Sequence, residues 1–308
     1  MSNPTTHTDL SADDRRVLIQ ERAAKTRRAR VIRGRAFFTV MTLAFLVAVL
    51  PLGSVLYTLI SKGTGFISWS FFTTVPTQPS LIDQSAIGGI SNAIVGTLLV
   101  IGMAAAMSIP VGVLVGLFLA ERDTRPANIL RSMVGVMTGL PSILFGIFSL
   151  VYIVSAMGGY SAFAGSLALA MMMLPVVARS SEESFRAVPS TLREAALALG
   201  ARRSVVARSV IIPTSIGGLI TGILLALARA AGETAPVLLV VGISGVVSWS
   251  PTGQTTTLPL LTYLDSGSQY SSQQNEAWGV ALVLVLFVLA LNLLSRFFSA
   301  RFSKQVSN

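Results

Sequence analysis

The sequence predicts an all-α, polytopic membrane protein of six transmembrane helices, with an organised polar loop between the fourth and the fifth. Three observations predict it. Of 308 residues, 52% are hydrophobic and only 12% are charged, a composition outside the range of ordinary soluble domains. The apolar residues gather into stretches near the ~20 residues needed to cross the hydrocarbon of a bilayer. Lys and Arg crowd into alternate connections, as they do in short cytoplasmic segments.

The elements follow in order. Residues 1–36 form a basic arm with nine Lys and Arg between Arg15 and Arg35, expected to be solvated, partly disordered and close to anionic lipid headgroups. The first span, Phe37 to Ile60, is too long for a signal-peptide core and lacks a clear cleavage site, so it is read as a retained helix. The second and third spans are Asn92 to Ala120 and Leu130 to Val154. Pro141 is expected to interrupt the third between Thr138 and Ser142, near the translocation path. The fourth, Ala162 to Ala178, is the shortest. The fifth is Gly217 to Val241 and the sixth Ala277 to Ser299, before a short cytoplasmic tail, 300–308. Pro110, Pro175 and Pro236 are further bend points. The pairs Gly112/Gly116 and Gly135/Gly139 both read as close-packing G-x-x-x-G.

Arg122, Arg125 and Arg131 surround the second connection, and six arginines from Arg179 to Arg208 populate the fourth; Lys62 alone lies on the opposite side. Both termini are therefore expected in the cytoplasm, and the net charge of +10 reflects topology rather than nucleic-acid binding. The outer connections, Ser61 to Gly88 and Ser244 to Glu276, are rich in Ser, Thr, Gly, Gln and Pro. They are open to docking by an external partner, although surface loops often have this composition.

Several chemistries are excluded. The chain has no cysteine and no Gly-Lys dipeptide, so it offers neither thiolate chemistry nor a phosphate-cradling Walker A loop. Its one histidine, His7, falls in the arm. The spans hold no Ser-His or paired-Asp arrangement for intramembrane hydrolysis.

The polar segment 179–216 is the most organised. Thr191 followed by Glu194 is a candidate capping box, Leu192 to Leu199 propagates helix well, and Gly200 offers the left-handed stop. A second helix, Ala201 to Ile211, is expected to end before Pro213. This helix-turn-helix either docks on a partner or lies on the bilayer with Leu192, Ala195, Ala196 and Leu199 towards lipid.

Within the fifth span stand Arg229 and Glu233, read as the two charges that must lie deep in the membrane. A charge at the bilayer centre costs about 2.5–3.5 kcal/mol on insertion scales and needs a partner, a wet path or a substrate. The spacing of four puts both on one helical face. They read either as an orienting ion pair or as a site, since a guanidinium fork suits phosphate oxygens bidentately. Arg179, at the inner end of the fourth span, is an interfacial anchor or a second basic residue of the path.

The order Glu194-Ala195-Ala196, three residues, Gly200, nine residues, Val210-Ile211-Ile212-Pro213 resembles the EAA loop of binding-protein-dependent ABC importer permeases, with conservative departures at Val210 and Ile212. Gly139-Leu140-Pro141-Ser142, Leu174-Pro175 through Arg179 to Glu182-Glu183, Val188-Pro189 and Leu227 to Pro236 narrow the likeness to phosphate-specific importer permeases. The run Ala231-Gly232-Glu233-Thr234-Ala235-Pro236 is similar to the PstA type rather than the PstC type. The resemblance covers the membrane part, Phe37 to Ser299, and not the arm.

It implies a type I ABC importer permease in a bacterial cell membrane. That permease would pair with a PstC-like permease over two copies of an ATPase, which would bind the ATP and magnesium, with no cofactor in this chain. The EAA loop, through Glu194, Ala195, Ala196, Gly200 and Pro213, would couple to the ATPase, and an extracytoplasmic phosphate-binding protein would deliver substrate. Arg229, Glu233 and Arg179 would line the pathway. A sulfate or molybdate permease, an ion-coupled carrier and a cytoplasmic regulator on the arm remain open.

Overall fold

A computed structural model describes the backbone of residues 12–77 and 88–306 and the side chains of 31–77 and 88–298. All regular structure among the described residues is helical: α1 (Ala12–Gly63), α2 (Trp69–Thr73), α3 (Ser91–Glu121), α4 (Arg125–Gly139), α5 (Ile143–Met157), α6 (Ala162–Arg186), α7 (Ser190–Ala198), α8 (Arg203–Ala231), α9 (Ala235–Leu238), α10 (Leu258–Ser266) and α11 (Ser271–Val306). Five helices are long and apolar enough to cross a membrane, or six spans if the bent pair α4 and α5 is one. The protein is a multi-pass membrane protein.

The chain divides at Thr58/Leu59 into two units. The first is mostly α1, which runs unbroken from Ala12; residues 1–11 of the basic arm lie outside the described residues. Ala, Arg, Gln, Glu and Lys propagate helix well. His7 lies outside the described residues. At the other end α11 continues to Val306, into the segment read as the tail.

In the second unit, α6 is the central element. Its Ala, Gly and Ser face lets neighbours approach, and a buried cluster joins Val100 and Ala104 of α3, Phe145 of α5, Ala168 to Met173 of α6, and Ala226 and Ala230 of α8. Gly112 and Gly116 let α3 approach α6 closely. A Cβ at 116 would stand 2.5 Å from Ser181 Cβ and 2.7 Å from the Ala178 carbonyl oxygen, and one at 112 would stand 2.8 Å from Val177 Cγ1. The second glycine pair is corrected: Gly135 and Gly139 meet nothing within 4 Å, so they do not pack inside this chain.

The third span is not straight. α4 and α5 meet at 102°, because Pro141 donates no hydrogen bond and keeps Leu140 out of the helical region, at ψ 139°. The fifth span is also interrupted. α8 ends at Ala231 with Gly232 as its cap, and Thr234 and Pro236 begin the short α9. The fourth and fifth spans extend well beyond their predicted inner ends, to Arg186 and from Arg203. The polar connection predicted over 179–216 is therefore shortened to residues 187–202.

The segment after α9 folds back over the start of α6. Backbone N–H groups of Ser161, Ala162 and Phe163 donate to the carbonyls of Val240, Gly253 and Pro251 at 3.0, 2.9 and 2.8 Å, and Ala164 N–H donates to Ser161 Oγ. The orphan donors of the first turn are thereby satisfied. The connection 244–276 is partly structured: Thr255, Thr256 and Thr257 are buried, and α10 packs with Phe71, Ile90, Ala93 and Val280. Lys62 lies 5.2 Å over the Trp278 ring.

Candidate functional site

Antiparallel packing of α6 and α8 positions the predicted pathway residues. Gly218 and Gly222 of α8 sit against Ser184 and Ser180 of α6. By that register Arg229, about 10 Å further along α8 at 1.5 Å per residue, is level with Met173, near the middle of α6. Gly218, Gly222, Leu225 and Arg229 share one side of α8. Leu225 and the Arg229 side chain are both about half exposed, the latter at 52%.

Arg229 and Glu233 do meet, with Nε 3.8 Å from Oε1. The geometry differs from the predicted one. Glu233 is not on the same helical face, because the helix stops at Ala231; it hangs from the break and reaches back. At 3.8 Å the contact is ionic rather than a hydrogen bond. Arg229 in the last turn of α8 also faces the negative end of the helix dipole.

Arg179 is not at a helix end as predicted: α6 continues for seven residues beyond it, to Arg186. It pairs with Glu183 at 3.3 Å, and both side chains are well exposed, at 64% and 69%. The structure thus keeps Arg229 and Arg179 in separate pairs on neighbouring helices. A groove of about 480 Å³ runs between α6 and α8, lined by Glu183, Ser180, Ser184, Thr214, Ser215 and Thr221 together with Ala187, Val188 and Pro189.

The EAA residues lie at one end of the bundle. Glu194, Ala195 and Ala196 are on α7, which buries none of its residues. The predicted capping box is not formed: α7 begins at Ser190 with Pro189 as N-cap and no side-chain capping bond, since proline at that position already turns the chain. Gly200 follows with φ +81°, a conformation glycine takes without a Cβ penalty. Pro213 does not stop the next helix as predicted. A π turn over Ala207–Ile211 widens α8 just before it, which relieves the clash between the proline ring and the carbonyl four residues back.

Charges that the sequence did not single out form a junction at the same end. Glu182, 11% exposed at its side chain, binds Arg131 Nε at 2.9 Å and Arg186 Nε at 3.1 Å. The same two arginines donate to the Leu119 carbonyl at the end of α3 and to Asp123. Arg193 of α7 reaches Glu121 at 2.9 Å. Glu182, Asp265 and Glu276 are all more buried within the chain than Arg229. Only the folded chain brings 121, 131, 182 and 193 together; their spacing along it carries no signal.

Broken third and fifth spans around a small-residue central helix, with a short exposed helix suspended between the fourth and fifth, define the membrane permease of a type I ABC importer. Residues 108–308 match the family of binding-protein-dependent transport system inner membrane components. The phosphate transport system permease protein PstA of Haemophilus influenzae is 36% identical over 246 residues, 79% of this chain and 86% of that protein. PstA 1 of Mycobacterium tuberculosis strain H37Rv is 37% identical over 260 residues, 83% of each chain. An inward-facing structure of the MetNI methionine ABC transporter overlays with a TM-score of 0.54 at 20% identity, over 70% of this chain and 94% of that one, a likeness of fold alone. The chain belongs to the PstA family of these permeases.

Proposed function

We propose that this protein is the PstA-type permease of an ATP-driven importer of inorganic phosphate. It lines the path together with a PstC-like permease and takes its energy from a separate pair of ATPase subunits that hold the ATP and magnesium. An extracytoplasmic phosphate-binding protein delivers the anion, and both termini and α7 face the cytoplasm of a bacterial cell. The positive-inside bias of the connections supports that orientation, and the relatives named for phosphate transport support the substrate.

One observation carries the reading: Arg229, in the last turn of α8 and level with the middle of α6, is half exposed, with only a loose ionic contact to Glu233. A buried orienting pair has no reason to leave its guanidinium open on one side. An anion path does, because the fork presents donors to phosphate oxygens while Glu233 balances the charge when no anion is present. The loose contact also suits a transport site, where tight binding would trap the ion. From Arg229 the same side of α8 passes Leu225 and leads to the groove beside Glu183, the ion-pair partner of Arg179.

The test is ATP-driven phosphate uptake by the reconstituted complex, comparing wild type with Arg229→Gln and checking assembly. Loss of uptake with the ATPase still bound supports the role. Unchanged uptake makes Arg229 and Glu233 a structural pair, and uptake of sulfate or molybdate in place of phosphate overturns the substrate.

A further inference from the structure

α7 is held to the rest of the chain in two ways. Ala196 packs on a small core of Phe185, Val188, Val206, Ile211 and Leu219, and Arg193 Nη1 lies 2.9 Å from Glu121 Oε1, with the side chains 26% and 23% exposed. The first contact joins α7 to the ends of α6 and α8. The second joins it to α3, and α3 is itself clamped. Arg131 of α4 and Arg186 of α6 both donate to the Leu119 carbonyl, at 3.1 and 3.2 Å, and to Asp123, at 3.4 and 3.3 Å. Glu182 holds the two arginines from behind.

The contact between α7 and α3 is close but poorly aligned. Neither Glu121 Oε1 nor Arg193 Nε makes a hydrogen bond, although both atoms are buried. Charge-assisted hydrogen bonds are the strong ones, so a modest shift of α7 that turns the guanidinium onto the carboxylate gains an interaction that the present arrangement lacks. We propose that Arg193 and Glu121 form the joint that carries displacement of α7 into α3 and, through the Leu119/Asp123 clamp, into α4 and α6. Both are positioning residues. This rests on the reading of α7 as the helix docked on the ATPase.

The joint is tested in the reconstituted complex by measuring phosphate transported per ATP hydrolysed for Glu121→Gln, Arg193→Gln, Arg193→Lys and the exchange Glu121→Arg with Arg193→Glu. The two single Gln variants should keep the ATPase bound but lower the ratio about tenfold, within the range for directly coupled pairs. The exchange should restore it to within about threefold of wild type on the same coupling argument, and Arg193→Lys, which keeps the charge, should stay near wild type; if Arg193→Gln does not assemble, Glu121→Gln alone decides. An unchanged ratio in both Gln variants overturns the joint, as does an exchange no better than either single variant. Docking is checked separately. The chain has no cysteine, so Leu197→Cys on exposed α7 gives one site for cross-linking to the ATPase. No cross-link defeats the docking reading, whereas a cross-link with an unchanged Arg193→Gln ratio defeats the joint alone.

Discussion

Gly116→Ala should destabilise this chain while the chemically identical Gly135→Ala should not. A Cβ at 116 would stand 2.5 Å from Ser181 Cβ, 2.7 Å from the Ala178 carbonyl oxygen and 2.8 Å from the Glu182 nitrogen. Two of those three atoms are backbone of α6, so no rotamer change relieves them and the two helices must part. Overpacking of this kind costs about 1–3 kcal/mol, and the better helix propensity of alanine returns about 0.5–1 kcal/mol, leaving a net loss of about 0–2.5 kcal/mol. At Gly135 nothing lies within 4 Å, so only the propensity gain of about 0.5–1 kcal/mol remains. Equilibrium unfolding of the isolated chain in detergent, followed by tryptophan fluorescence, measures both. A neutral Gly116→Ala, or a Gly135→Ala equally damaging in the isolated chain, refutes the assignment of Gly116 to the α3–α6 contact. Damage from Gly135→Ala seen only in the assembled complex would instead place the open side of α4 against a neighbour.

Gly200→Ala forces a Cβ into the left-handed region at φ +81° and should cost about 1 kcal/mol, read as weaker co-purification of the ATPase; an unaffected complex would show that the α7 stop is dispensable. Glu182→Gln removes the carboxylate shared by Arg131 and Arg186, and should lower the thermal midpoint more than Glu183→Gln, whose carboxylate is well exposed. Burial pushes the Asp265 carboxyl up to about 7, with the Glu276 carboxylate nearby. The folded state therefore binds the proton more tightly than the unfolded one, and stability falls as pH rises from about 4 to 7. Asp265→Asn should accordingly raise the unfolding midpoint at pH 8 and leave it near that of wild type at pH 4; an equal shift at both values would contradict the burial argument.

Long apolar runs and basic connections were enough to read the membrane class, the approximate spans and the suspended helix, because lipid leaves a spanning chain few alternatives to helix. Pro141 also signalled its bend. The break at Gly232 was not read, since Arg229 and Glu233 at a spacing of four mimic one helical face. The π turn before Pro213 was missed for a related reason: proline marks a local problem without saying whether the helix ends or widens. The helix over 12–36 was not read, because the charge of that segment drew attention ahead of its good helix formers. The junction of Glu121, Arg131, Glu182 and Arg193 was hidden altogether, as its members come from four helices and are ordinary surface residues until α3, α4, α6 and α7 converge.

The seal over the start of α6 is built from main chain. Val240, Pro251 and Gly253 supply carbonyls there, and almost any residue supplies a carbonyl. Val240 and Val241 are fixed by burial, but the mostly exposed stretch 243–250 is thus free to change its side chains, and with them whatever it shows to an external visitor, without uncovering the helix beneath. Its length is another matter. Removing a single residue between 242 and 250 would draw the carbonyls of 251 and 253 out of reach of Phe163 and Ala162, so this stretch should tolerate exchange of letters far better than loss of one.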